Sequence, residues 1–216
     1  MSQTIGVLRF PGTNCDRDVY SAIEAKGYKA QWLWHQDRFE ANGMHALVLP
    51  GGFSYGDYLR AGALAARSPA MHSVRESAAK GVPVLGICNG FQILCEAGLL
   101  PGVLVRNRGR RFIDDWVELK LENGNAKFAN TMGRGSRARL PIAHADGCFH
   151  IEADEYKALR DRGQVWWTYC ENPNGAAHDI AGVMNQAKNV AALMPHPERA
   201  MTEWMGGTDG ARFFEF

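Results

Sequence analysis

The chain has no surplus of charge of either sign. Lys and Arg number 24 against 23 Asp and Glu, for a formal net charge of +1 over 216 residues. A surface built to hold nucleic acid or an anionic membrane through excess basic residues is therefore not indicated. No apolar run approaches the roughly 20 residues needed to cross a bilayer. The N-terminal Met1-Ser2-Gln3-Thr4 shows no basic region followed by an apolar stretch, so no secretory leader is expected. Cysteine is sparse. The five residues Cys15, Cys88, Cys95, Cys148 and Cys170 are odd in number, scattered, and include no C-x-x-C pair. Neither a disulfide framework nor a zinc site is suggested, no metal is expected, and a reduced cytoplasm suits them best. Internal repeats, low-complexity tracts and obvious linkers are also missing, so residues 1–216 read as a single domain.

Against these absences stands an ordinary globular composition, 46% hydrophobic and 22% charged, with a clear alternation of elements. Thr4–Phe10, Ala30–Trp34, Ala46–Leu49 and Val82–Ile87 read as short strands rich in branched residues. Helices are predicted from a cap at Thr13 or Asn14 to Lys26, from the Ser68-Pro69 pair to Gly81, and from Asn89 to Ala97. Strand–helix–strand order with short connections implies an α/β fold with a mostly parallel sheet and helices on both faces. Ligands in such sheets sit at the carboxyl ends of the strands. The second half is richer in strands: Phe112–Leu121, Arg137–Ile142, Val165–Tyr169, and a hairpin of Gly182–Met184 with Val190–Met194. A short helix is predicted over Asp154–Arg162.

The most informative segment is Val82-Pro83-Val84-Leu85-Gly86-Ile87-Cys88-Asn89-Gly90-Phe91-Gln92. An apolar strand runs into G-x-C-x-G and then a helix, the thiol counterpart of the G-x-S-x-G nucleophile elbow. The glycines have a steric reason, because a sharp turn brings neighbouring backbone against the nucleophile. The start of a helix favours the thiolate, the reactive form. The N–H of Asn89 points toward the reacting centre as one oxyanion donor. Set against this, an average cysteine is simply a small apolar core residue; here the strand, both glycines and the helix together favour the nucleophile. Cys95 faces the core on spacing, and Cys15, Cys148 and Cys170, lacking such a context, read as structural.

A thiol nucleophile needs a proton carrier. Of seven histidines, His35, His45, His72, His144, His150 and His178 lie in no usable motif and read as surface or packing residues. His196 lies in Met194-Pro195-His196-Pro197-Glu198-Arg199, where the flanking prolines forbid helix. In extended chain, residues i and i+2 project to one side, so Glu198 can orient the imidazole as the acid does in a Ser-His-Asp triad. A third string, Leu49-Pro50-Gly51-Gly52-Phe53-Ser54-Tyr55-Gly56-Asp57, follows another strand. An ordinary glycine-rich turn is its plainest reading, but beside an elbow it can supply the second oxyanion donor, from Gly52 or Phe53.

In this order the motifs resemble the class I, or triad, glutamine amidotransferase family: Gly86-Ile87-Cys88-Asn89-Gly90-Phe91-Gln92 matches its G-x-C-x-G-x-Q box, and His196-Pro197-Glu198 its H-P-E box. The longer strings, Arg9-Phe10-Pro11-Gly12-Thr13-Asn14-Cys15-Asp16 and Pro50–Asp57, resemble the branch made up of glutaminase subunits of phosphoribosylformylglycinamidine synthase. The resemblance covers nearly the whole chain. It implies a flavodoxin-like glutaminase domain and a Cys88–His196–Glu198 triad that hydrolyses L-glutamine. It also implies that Gln92 helps hold the amino-acid end of the substrate. Pro141-Ile142-Ala143-His144-Ala145-Asp146-Gly147 is similar to the branch's A-H-G-E-G stretch but has Ala145 for glycine and Asp146 for glutamate. Asp146 is a candidate for the substrate's ammonium group. No cofactor is implied in this chain, and no G-x-x-x-x-G-K-[ST] phosphate loop occurs. ATP and Mg are expected in a separate large synthetase subunit, with a small accessory subunit completing the complex and ammonia passing between them.

Two other readings use the same residues. A stand-alone γ-glutamyl or cysteine hydrolase of this fold would release glutamate from glutamyl peptides without a partner. A non-catalytic regulatory subunit would leave Cys88 inert to glutamine-analogue alkylators, although the intact Cys88, His196 and Glu198 speak against it.

Overall fold

Six residues, Thr4–Arg9, form β1, a strand with four consecutive buried positions and hence covered on both faces. The computed structural model describes residues 3–40, 42–125, 127, 128 and 131–216; Met1 and Ser2, part of the leader reading, lie outside the described residues. After β1 come α1 (Asp16–Ala25), β2 (Lys29–Trp34), β3 (Met44–Leu49), α2 (Pro69–Ala79), β4 (Val84–Ile87) and α3 (Asn89–Glu96). The second half contributes β5 (Val103–Val105), β6 (Ile113–Leu121), β7 (Arg137–His144), β8 (Cys148–His150), α4 (Ala153–Asp161), β9 (Val165–Tyr169), β10 (Ile180–Met184) and β11 (Val190–Leu193).

A nine-stranded sheet flanked by helices runs through both halves of the chain, in the order β2-β1-β3-β4-β11-β10-β9-β6-β7. Pairing is parallel from β2 to β11 and antiparallel from β11 outward through β10, β9, β6 and β7. The strand-rich second half thus extends the parallel sheet. The β10–β11 hairpin lets β11 return beside β4, and β4 and β11 are buried at every residue. Under the antiparallel part, Trp167 packs on Phe213 at 5.2 Å between ring centroids and Phe128 on Trp166 at 6.0 Å.

Three details depart from the sequence expectations. Cys15 is the residue that precedes α1. Thr13 does not cap that helix, because its Oγ1 accepts the N–H of Phe10 at 3.0 Å and so closes the turn after β1. A two-stranded ladder, β5 with β8, was not signalled, since three residues are too few to show a strand period. Third, β7 ends the sheet yet reaches its middle: the N–H of His196, just beyond β11, donates to Pro141 O at 2.8 Å. The antiparallel half curls so that its edge covers the carboxyl end of the parallel half.

Candidate active site

Register explains why the predicted motifs meet. Leu49 pairs with Gly86 and Ile87 with Leu193, so the segments leaving β3, β4 and β11 emerge side by side at one end of the sheet. Those segments carry Gly51 and Gly52, Cys88, and His196. At Cys88 the backbone takes φ 49° and ψ −103°, a conformation L-residues reach only at a cost of about 1–3 kcal/mol and keep where the surroundings impose it. The surroundings are the two elbow glycines. A Cβ on Gly86 would lie 2.9 Å from the carbonyl carbon of Gly90, and one on Gly90 would collide with the carbonyl of Leu49. The elbow is as tight as atoms allow.

His196 Nδ1 and Glu198 Oε1 are 2.6 Å apart and both side chains are buried. Burial alone would pull the imidazole down, but the charge of Glu198 and the neighbouring sulfurs of Cys88 and Cys15 outweigh it and hold His196 well above its ordinary value. The other ring nitrogen, Nε2, has no hydrogen-bond partner among the described residues, although Cys88 and Cys15 are close enough to favour its protonated form. Gly51 is the hub of this arrangement: a Cβ there would sit 2.7 Å from His196 Cε1 and 3.3 Å from both Cys15 Sγ and Cys88 Cβ. The structure therefore brings Cys88, His196 and Glu198 together.

It also brings in Cys15, which from sequence alone reads as structural. Cys15, His196 and Glu198 each offer a potential metal-ligand atom within 4.8 Å of the others. Glu198 Oε1 is bonded to His196 Nδ1, and Cys15 Sγ accepts a hydrogen bond from Arg199 Nη2 at 3.2 Å. Cys15 follows β1 and precedes α1 just as Cys88 follows β4 and precedes α3, so the strand-end rule for parallel sheets is the signal in the sequence that could have found it. Two features separate the thiols. Only Cys88 has the strained elbow backbone, and only Cys88 borders both parts of the cleft described below.

The glycine-rich string wraps around the thiol. Gly52 takes φ 136°, and a Cβ there would come within 2.6 Å of Asn14 N. Phe53 N–H donates to Gly12 O at 2.9 Å and Ser54 N–H to Asn89 Oδ1 at 3.1 Å. Of the two expected loop donors, Phe53 is thus engaged and Gly52 is not among the amides so bonded. Asn89, the first residue of α3, has a first-turn N–H without an intrahelical acceptor, and its side chain locks the elbow to the loop.

On the other side of Cys88 lie Gln92 and the turn after β7. Gln92 Oε1 accepts from Asn89 Nδ2 at 2.8 Å, and Gln92 Nε2 donates to Asp146 O at 2.7 Å. Both ends of Gln92 are engaged, and it holds the Asp146 turn in place. Asn107 holds the same turn: its Nδ2 donates to His144 O, and its Oδ1 accepts from Gly147 N–H at 3.0 Å and His144 Nδ1 at 3.1 Å. Since the amide orientation of Asn107 is set by its carbonyl partners, the proton of His144 is on Nδ1. Burial first, and the nearby His196 second, lower His144 to about 4, so it is neutral at physiological pH.

Two cavities share Gly52, Phe53, Cys88 and Ala143. The first, about 270 Å³, is bordered by Cys15, His196 and Arg199, with Phe53 and Phe112 exposed at its rim. The second, about 20 Å³, is bordered by Asp57, Gln92, His144 and Asp146 and has room for about one water. A separate cavity of about 650 Å³ lies against β6 and β9 and is bordered by none of the predicted catalytic residues. Sequence reasoning did not signal Asp57 or His144 as site residues; Asp57 lay inside a quoted string, but no spacing marked its carboxylate.

Residues 2–209 match the model of the CobB/CobQ-like glutamine amidotransferase domain. The chain is 46% identical over 211 residues to phosphoribosylformylglycinamidine synthase subunit PurQ of Alkaliphilus metalliredigens, covering 97% of this chain and 93% of that one. It is 47% identical over 215 residues to PurQ of Thermus thermophilus, covering 96% and 94%. Among solved structures, PurLQS from Thermotoga maritima superposes with a TM-score of 0.92 at 42% identity, covering 100% of this chain and 97% of its counterpart.

Proposed function

Because the chain belongs to the CobB/CobQ-like glutamine amidotransferase family, we propose that it is the glutaminase subunit of a phosphoribosylformylglycinamidine synthase. The observation that carries this reading is the meeting of Cys88, on a strained elbow, with the buried His196–Glu198 pair in one cavity. Residues 1–216 act as one glutaminase domain, since a single sheet takes strands from both halves.

The Cys88 thiolate attacks the side-chain amide carbon of glutamine. The N–H groups of Asn89 and Gly52 face the resulting oxyanion, each such donor being worth about 3 kcal/mol in the transition state. His196, held protonated beside Glu198, gives its proton to the departing ammonia. It then takes one from water, which hydrolyses the glutamyl thioester. Glu198 is a positioning residue that fixes the ring and its charge. The Asp146 turn, secured by Gln92 and Asn107, must part from the Asp57 loop for substrate to enter, because the cleft between them holds only about 20 Å³.

Ammonia passes to a large synthetase subunit, which uses ATP and Mg to make formylglycinamidine ribonucleotide; a small accessory subunit completes the assembly. The PurLQS likeness and the exposed Phe53 and Phe112 at the cavity mouth support docking of a partner over the thiol. A cytoplasmic location fits this chemistry, and among the described residues no helix is long and apolar enough to cross a membrane. The test is ammonia release from glutamine with and without the synthetase, ATP and formylglycinamide ribonucleotide. Strong stimulation by the full mixture supports the reading. Hydrolysis of glutamyl peptides at equal rate without any partner would replace it with a stand-alone hydrolase.

A further inference from the structure

Asp57 presents an electrostatic problem that the reaction steps leave unsolved. It sits in a loop with positive φ at Tyr55, Gly56, Asp57 and Leu59, backbone conformations that cost energy outside glycine. The loop is held by Tyr55, whose hydroxyl bonds His35 Nδ1 at 2.7 Å and Ser68 Oγ at 3.1 Å, and whose N–H donates to Pro11 O at 2.6 Å. What the loop delivers is a carboxylate. Asp57 Oδ1 is buried without a hydrogen-bond partner among the described residues. Burial first, and the carboxylate of Asp146 second, push Asp57 up to about 6. Two acidic groups thus face one cleft with no cation between them.

An independent feature of the same cleft points to the missing ligand. His144 is 3% exposed and borders the cleft. With its proton on Nδ1 toward Asn107, its Nε2 is a lone-pair acceptor, and that atom too is buried without a partner among the described residues. Three side-chain acceptors, with no cationic side chain among the residues that border the cleft, describe a place for a group that is cationic and rich in N–H. The cleft adjoins Cys88, so the group belongs to the molecule whose amide the thiol attacks, at the opposite end of its short chain.

We propose that Asp57, with Asp146 across the cleft and the Nε2 of His144, forms the subsite for the α-ammonium group of glutamine, and that Asp57 is a specificity-determining residue. The assignment rests on Cys88 being the glutaminase nucleophile. The ammonium replaces the repulsion between the two carboxylates with two attractions, and it satisfies a buried acceptor whose desolvation is otherwise uncompensated. Its arrival supplies a reason for the Asp57 loop and the Asp146 turn to part and then close. A glutamine analogue without the amino group gains none of this and leaves the polar groups unpaired, the situation in which binding sites discriminate most strongly.

The experiment uses the chain assembled with its synthetase partner and compares wild type with Asp57→Asn, Asp57→Glu and Asp146→Asn. Glutamine kinetics are measured, with competition by glutaramate, the analogue lacking the amino group. The rate at which iodoacetamide alkylates Cys88 reports whether the thiol–imidazole pair is intact. For Asp57→Asn the expected result is a KM for glutamine raised about tenfold or more, with kcat, the glutaramate inhibition constant and the alkylation rate each changed by less than about twofold, as expected when uniform binding alone is lost. Asp146→Asn shifts in the same direction, and Asp57→Glu recovers part of the loss. An unchanged KM overturns the proposal. So does parallel weakening of glutamine and glutaramate, which would show a merely structural role. Failure of the underlying glutaminase reading is distinguishable, because wild type itself would then show no Cys88-dependent ammonia release.

Discussion

His196 Nδ1 and Glu198 Oε1 approach to 2.6 Å with side-chain exposures of 2% and 0%. Buried this completely, a charge pair is a commitment: removing one partner leaves the other uncompensated. Glu198→Gln keeps the shape but removes the charge that holds the imidazole protonated. The expected outcome is a kcat for glutamine lowered by roughly 10⁴-fold, in line with loss of an orienting acid elsewhere. Ammonia-dependent synthesis by the complex continues, because the acceptor reaction takes place in the partner. The pH dependence of Cys88 alkylation checks the cause. Burial acts to lower His196 and Glu198 to raise it, so the imidazole titration moves to lower pH in the variant.

The two thiols beside His196 give a sharper test of assignment. Cys88→Ala abolishes glutamine-dependent activity outright, since no other sulfur sits on the elbow. Cys15→Ser retains most of it. Cys15 borders only the His196 side of the cleft and is bonded by Arg199. The measurement is mass-spectrometric identification of the residue carrying a glutamine-analogue alkylator, together with kcat for each variant. Label on Cys15 in the wild type would reverse the roles assigned here.

The pattern of residues disclosed the catalytic pieces for a physical reason. G-x-C-x-G is legible because steric closeness demands glycine at Gly86 and Gly90, and Pro195-His196-Pro197-Glu198 because proline restricts backbone choice. The strand positions likewise followed from short branched runs; Val165–Tyr169 is a strand over the same residues as expected. What remained hidden depends on long-range placement. That β7 would end the sheet and still curl over β11, bringing His144 and Asp146 to the thiol, is set by sheet coiling and leaves no local signature. Cys15 looked structural because nothing near it in sequence mentions His196. Asp57 matters through its distance from Asp146 in space, which periodicity does not encode.

Packing at the elbow predicts a graded pair of glycine variants. At Gly90 a Cβ would run into the Leu49 carbonyl, whereas at Gly98, with φ 71°, a Cβ would meet nothing within 4 Å. Gly98→Ala carries only the backbone penalty, about 1–2 kcal/mol, and leaves activity intact. Gly90→Ala forces β3 and α3 apart, costs about 1–3 kcal/mol in overpacking, and displaces the thiol as well. Urea unfolding of both variants, read beside glutaminase activity, should show activity lost at Gly90 and preserved at Gly98. Equal behaviour of the two would mean that the elbow tolerates a methyl group.

Asp57 offers a prediction whose sign is unusual for a polar residue tied into a site. Its carboxyl is raised from 3.8 to about 6 in the folded chain, by burial and by Asp146. Between these values the native state binds a proton that the unfolded chain has lost, so stability falls as pH rises through the window. Above pH 6 the folded chain carries the whole cost of an unpaired, half-buried carboxylate. Asp146, His144 and Cys88 border the same cleft, and none of them supplies a cation, since His144 is neutral there. Asp57→Asn should therefore stabilise the free chain at pH 7–8, with the gain shrinking as pH is lowered and gone near pH 4. Denaturant midpoints across that range measure it. A residue kept for packing would show the reverse, a loss at every pH. Stabilisation by the variant that also raises the KM for glutamine is the behaviour expected where a fold carries strain for binding. Destabilisation at pH 8 would instead mean that Asp57 already has a favourable partner in the folded chain.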